Sequence, residues 1–282
     1  MVRTSNRCQL WLNAFDELTP EAAYWVGFLF ADGSVYEDAV SKRISVRVSE
    51  RDREHLVKLR AFLRSTHTIG TGPAGNYGGY QSRPSVRFSI RSEQLAERIL
   101  RLGRYDGPIE ATLVGSRDFW RGVTDGDGSL GILETGYTYF SLVGSRRLLE
   151  AFLLFLRNND LAAKMTIRPD KTIFQIATAG YTAEKIVHFL YANADVTLDR
   201  KAVIAAKIMA IREARLSAER SRLSVERSRL AQIAEWYQGG ESLKQIAARL
   251  EVSNVTILRW MDNAGIPRRK RHGGRRSLSS SS

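Results

Sequence analysis

The alternation of apolar and polar positions is sharpest in two short stretches. In residues 43–49, R-I-S-V-R-V-S, an extended chain puts Ile44, Val46 and Val48 on one face and Arg43, Ser45, Arg47 and Ser49 on the other. In residues 83–91, R-P-S-V-R-F-S-I-R, Val86, Phe88 and Ile90 alternate with Arg83, Ser85, Arg87, Ser89 and Arg91. Weaker alternation runs over 137–143 and 172–178, and both pairs of segments predict strands. Helical patterns occupy 52–63, 145–157 and 182–191. Helix, strands, helix, strands, helix therefore occurs twice. Each occurrence is an α+β unit of about a hundred residues, an ordinary domain size. From Arg200 the pattern turns continuously helical, with no glycine or proline until Gly239.

The two units share a motif. Residues 25–35 read W-V-G-F-L-F-A-D-G-S-V and residues 120–130 read W-R-G-V-T-D-G-D-G-S-L. Asp127 matches Asp32, whereas Asp125 matches Phe30, so Asp125 lies outside the repeat and is expected to be incidental. The D-G-D-G stretch alone suggests a calcium loop, with Asp125, Asp127 and Ser129 at positions 1, 3 and 5. Leu130 and Gly136 then fall where that loop needs a glycine and a bidentate glutamate, so it is excluded. A phosphate loop is excluded by the missing lysine.

Each motif follows a helix-start signal, Thr19-Pro20-Glu21 or Ser116-Arg117-Asp118. Gly27 and Ala31, like Gly122 and Gly126, are four apart and would share a helix face, where small residues let two backbones approach closely. If the motif helices pack together, Asp32 and Asp127 meet at their C-terminal ends, and Gly33 and Gly128 stop the helices as C′ glycines do. A carboxylate there opposes the helix dipole by about 0.3–1 kcal/mol, and two adjacent carboxylates repel. A divalent cation is the natural compensation, since hard cations favour carboxylate oxygens.

Composition narrows the partner. The chain has 282 residues, 43% hydrophobic, and no apolar run long enough to span a membrane. A single cysteine, Cys8, excludes a disulfide framework, and four scattered histidines lack metal-ligand spacing. The N-terminus shows no signal-peptide pattern, so an intracellular, cytoplasmic protein is expected. Net charge is +13 and the pI is about 10.1, which points to a polyanion. From Arg200 onward there are 18 Lys/Arg against 7 Asp/Glu; before it the counts are 25 and 23.

The C-terminal third starts with an arginine-rich helical linker at 206–228, whose S-A-E-R-S-R-L is followed by S-V-E-R-S-R-L. Residues 229–268 predict a helix-turn-helix. Its first helix is 231–237, its second carries Leu243, Ile246, Ala247 and Leu250, and its third is 254–264 with Val255, Leu258 and Trp260 facing inward. Asn254, Thr256 and Arg259 are then placed to reach base edges in a major groove. A basic arm containing Arg268 and Arg269 follows, suited to phosphates or a minor groove, and the tail at 269–282 ends in serines that read as disordered.

Both motif stretches resemble the LAGLIDADG motif of homing endonucleases in its two-motif, single-chain form, over roughly residues 10–210. The resemblance implies a pseudo-two-fold pair of αββαββα units, 1–115 and 116–205, with the motif helices central and antiparallel sheets on double-stranded DNA. It assigns Asp32 and Asp127 to Mg2+, with Mn2+ able to replace it, and to hydrolysis of both strands by a monomer that needs no protein partner. L-D-R-K at 198–201 is similar to the family's basic segment, which makes Lys201 the assisting residue. The matching segment of the first unit, 107–113, has no lysine or arginine. Arg43, Arg47, Arg83, Arg87 and Arg91 are the DNA-contact candidates of the first sheet. The 229–268 segment resembles resolvase- and transposase-type modules. A non-catalytic transcriptional regulator and an RNA-splicing maturase remain alternatives.

Overall fold

The computed structural model describes residues 8–37, 41–77, 80–161, 164–170 and 173–269. It divides into two compact units, Met1–Arg212 and Glu213–Ser282.

In the larger unit, helix α1 (Pro20–Asp32) starts where Thr19 accepts the Ala22 N–H and Pro20 occupies the first turn, a position at which its missing N–H costs nothing. Strands β1 (Gly33–Glu37) and β2 (Lys42–Ser49), helix α2 (Arg53–Phe62), strands β3 (Ile69–Gly72), β4 (Gly75–Tyr77), β5 (Tyr80–Ser82) and β6 (Ser85–Arg91), and helix α3 (Glu93–Leu102) follow. A single turn, α4 (Ala111–Val114), leads to α5 (Arg117–Asp127), capped by the Ser116 hydroxyl. Then come β7 (Gly128–Ile132), β8 (Thr138–Gly144), α6 (Arg146–Asn158), β9 (Arg168–Asp170), β10 (Ile173–Ala179) and α7 (Tyr181–Tyr191). Helix α8 (Asp199–Gln238) begins in this unit and supplies the first helix of the smaller one.

Two four-stranded antiparallel sheets result, β1-β2-β6-β3 and β7-β8-β10-β9, with β4 and β5 forming a separate hairpin. The strongly alternating segments are central strands, and their apolar faces are buried: Val46 lies opposite Phe88 and Ile44 opposite Ile90. The edge strands carry little alternation, and β1 and β7 continue straight out of the motif helices. Strand β6 begins at Ser85 and not at Arg83, because Pro84 has no N–H to give a ladder. Arg83 therefore precedes the sheet.

Helix α1 is buried all round from Ala22 to Phe30, and α5 from Phe119 to Asp125, so both are core helices. They pack directly on each other. A Cβ at Gly27 would lie 2.0 Å from the Phe119 carbonyl oxygen, one at Gly122 2.0 Å from that of Tyr24, and one at Gly126 2.3 Å from the Ala31 Cβ. At the first two positions the obstacle is backbone, which no rotamer change relieves. Gly122→Ala is expected to cost about 3 kcal/mol, the upper part of the overpacking range, and to lower the melting temperature by about 6–12 °C. Calorimetry showing an unchanged transition would mean that the helices do not approach this closely.

In the smaller unit the end of α8, α9 (Leu243–Arg249) and α10 (Asn254–Asn263) close over Ile233, Tyr237, Ile246, Ala247, Ile257 and Met261. Ser242 and Gln245 form a capping box on α9, and Ser253 caps α10. The inward face of α10 is Ile257 and Met261, one turn apart, with Trp260 half-buried beside them. Val255, expected inside, is 73% exposed because it lies on the opposite side of that turn. The tail beyond Arg269 lies outside the described residues. No helix among the described residues is long and apolar enough to cross a membrane.

Candidate active site and nucleic-acid interface

Asp32 and Asp127 are the last residues of α1 and α5, and Gly33 and Gly128 open the following strands without a loop. These glycines are extended, with φ of −91° and −85°, so the left-handed C′ conformation expected for them is absent. What requires glycine is space: a Cβ would lie 2.3 Å from the Leu29 carbonyl oxygen at Gly33 and 2.5 Å from that of Thr124 at Gly128.

Burial, and then the Asp127 charge, push the Asp32 carboxyl from its ordinary 3.8 up to about 6, with Lys201 and Arg200 pulling the other way. Burial also raises Asp127, while the Tyr105 hydroxyl, donating to its Oδ2 at 2.7 Å, and then Lys201 oppose the rise. The folded chain thus holds the Asp32 proton more tightly than an unfolded chain does. The Asp32 contribution to stability should fall as pH rises from about 4 to about 6 and level off above, while neutral His55 contributes in the opposite sense over the same range. Melting the wild type and Asp32→Asn in a chelator across that range checks this: the variant should gain stability relative to the wild type as pH rises, and a constant difference between the two would refute it.

Asp125 is not incidental. It is fully buried, and its carboxylate accepts from Tyr24 Oη at 2.7 Å, Tyr191 Oη at 2.6 Å and the Leu198 N–H at 2.7 Å. Since the Tyr24 proton goes to Asp125, the Tyr24 oxygen accepts from Nε2 of His55 at 3.0 Å. Burial pushes His55 down to about 3, so it is neutral, wedged against Trp25 and Phe28. On the same helix Arg121 is 2% exposed and reaches Asp118 and the carbonyls of Val196 and Leu190.

Lys201 is buried beside this carboxylate. Its ammonium donates to the carbonyls of Thr124, Asp125 and Gly128 at 2.6, 2.7 and 2.6 Å, which occupies all three of its protons and caps the end of α5. Burial lowers its pKa to about 8 against the pull of Asp125. In this arrangement it fixes the helix end that presents Asp127 and has no proton left over. Arg200 is turned to Asp52, at 3.1 and 3.2 Å. Tyr105 and Asp125 escaped sequence reasoning because neither is repeated in the other half. The mismatch of Asp125 with Phe30 was the available signal.

Asp32 opens onto two concavities. One, of about 620 Å³, is lined by the acids Asp32 and Glu37, by Ser34, Tyr36 and Ser45, and by Arg43, Arg47 and Arg87. The other, of about 390 Å³, joins Asp32 and Gly126 to Arg47, Arg51, Arg83 and Arg200. The register of β2 on β6 sets Arg43 opposite Arg91 and Arg47 opposite Arg87. Like charges directly opposite are destabilising, and a polyanion removes that cost. In the smaller unit Asn254 and Arg259 are exposed, while Thr256 is half-buried and bonded to Ser253 at 2.8 Å. Arg268 is paired with Asp262 at 2.5 Å, and Arg269 lies over the Tyr237 ring at 4.1 Å.

No family model matches the chain, and no curated protein matches it. Among solved structures 81 chains match. They include the LAGLIDADG meganuclease I-AabMI bound to uncleaved DNA, at 13% identity over 71% of this chain and 92% of that one, TM-score 0.48. The I-LtrWI LAGLIDADG homing endonuclease bound to target DNA is 11% identical over 71% and 92%, TM-score 0.48. Mesophilic variants of the homing endonuclease I-DmoI are represented at 17% identity over 62% and 98%, TM-score 0.45.

Proposed function

We propose that the larger unit is a site-specific DNA endonuclease that hydrolyses both strands of a duplex, and that the smaller unit adds DNA contacts. The observation that carries this reading is that Asp32 and Asp127 end the two motif helices near enough for the Asp127 charge to raise Asp32, which opens onto a concavity lined by opposed arginines. In this reading the halves are pseudo-symmetric about the α1–α5 contact, and the sheets lie on the major groove. Asn254, Thr256 and Arg259 enter a groove at the smaller unit, while Arg268 and Arg269 exchange their internal partners for phosphates. The chain acts inside the cell as a monomer.

The donor set fits a hard divalent cation. No group of three acidic, histidine or cysteine side chains able to hold a metal occurs among the described residues. Mg2+ in phosphate chemistry is commonly held by one or two carboxylates, with water and substrate oxygens completing the shell. Asp32 and Asp127 would hold it, and Mn2+ would substitute. The cation would supply charge to the phosphate and an acidified water. Tyr105 orients Asp127, Lys201 fixes the end of α5, and Arg47, Arg83 and Arg87 grip the duplex.

The test is incubation of the full chain with a randomised duplex library in Mg2+, followed by sequencing of cut ends. A recurrent cut site supports the endonuclease. Recovery of bound but uncut duplexes would instead indicate a regulator.

A further inference from the structure

The two sheets match strand for strand, and their registers can be laid over each other. Gly33 faces Val46 on β2, and Gly128 faces Leu142 on β8. Stepping outward from these pairs, Ser34 and Ser45 correspond to Ser129 and Ser141, so the serines beside the acids are kept. The arginines are not. Arg43 corresponds to Tyr139, Arg47 to Val143, Arg87 to Gln175 and Arg91 to Ala179. The second sheet has an arginine on this face at its edge strand, Arg168 opposite Gln175, where the first has Gly70 opposite Arg87.

We propose that the two sheets read chemically unlike half-sites: the first a guanine-containing, strongly salt-sensitive one, the second an A·T-rich one. This rests on the endonuclease reading and concerns what that site recognises. An arginine fork fits guanine O6 and N7 or a pair of phosphate oxygens. Glutamine fits adenine N6 and N7, and valine and alanine fit the thymine methyl group. Four opposed guanidiniums also concentrate positive charge on the first half-site, where each phosphate contact releases counterions and steepens the salt dependence. The second face, with Tyr139, Val143, Gln175 and Ala179 and a lone arginine at its edge, Arg168, discriminates by shape and by one amide over its central strands.

The experiment selects bound duplexes from a randomised library with the full chain, then repeats the selection with Arg47→Val and Arg87→Gln combined. That variant gives the first sheet the residues of the second at two exposed strand positions. The wild type should return sites with G·C confined to one half. The variant should lose guanine preference at the contacted positions of that half alone, leave the other half unchanged and bind with a shallower salt slope. Its melting temperature should be no lower than that of the wild type, since the opposed charges are gone. Recovered sites of equal composition in both halves, or a change in both halves on mutation, overturn the asymmetry and leave the nuclease reading intact. No enriched duplex at all overturns both.

Discussion

Replacing Asp32 or Asp127 with asparagine is expected to lower the rate of duplex cleavage in Mg2+ by a factor of about 10³ or more, with duplex affinity largely unchanged. Charge stabilisation by a catalytic cation contributes several kcal/mol, and about 4 kcal/mol is a thousandfold in rate. Asparagine keeps the shape of the side chain and, at 127, an oxygen that can still accept from Tyr105. What it removes is the negative charge. Each carboxylate is held charged at a cost set by burial, and Asp32 also by its neighbour. Neutralising either one should therefore leave the fold at least as stable, so a loss of cleavage cannot be assigned to unfolding. Single-turnover cleavage of a plasmid carrying the selected site, alongside melting curves, is the measurement. Undiminished cutting by either variant would end the assignment of these residues to catalysis.

The largest stability effect should come from Asp125→Ala, at about 3–5 kcal/mol, because it leaves three buried donors without an acceptor at roughly 1–3 kcal/mol each. The substitution strands the hydroxyls of Tyr24 and Tyr191 and the Leu198 N–H. Urea unfolding at pH 7 reads this as a fall in midpoint at constant m. Asp125→Asn should cost less, because the amide oxygen still accepts. If the alanine variant proved as stable as the asparagine one, the carboxylate would not be anchoring the site.

The sequence made legible what depends on periodicity and on repetition. Strands β2, β6, β8 and β10 alternate because one face is buried and the other is polar. The caps at Thr19 and Ser116 are local chemistry, and the acid pair emerged because both halves carry it. The edge strands were not legible: β3 and β9 are three or four residues long and lack a buried face to impose a pattern. Helix α3 also went unread, although Ser92 caps it and Leu95, Ala96, Ile99 and Leu102 line its buried face. The partners of Asp125 lie 66, 73 and 101 residues away in the chain, a convergence that only the tertiary fold creates. The glycines after the acids were read as conformational stops, but they are needed for clearance from the preceding turn.

The Asp125 anchor also bears on whether the halves could live apart. Two copies of the first half would place Phe30 where Asp125 sits and would bury no acid. Two copies of the second would bury two, each facing Phe119 in place of Tyr24, whose hydroxyl supplies one of its three hydrogen bonds. Neither half can stand in for the other at the joint between them. The buried acid and one of the hydroxyls that satisfy it come from different halves, so the joint needs one of each.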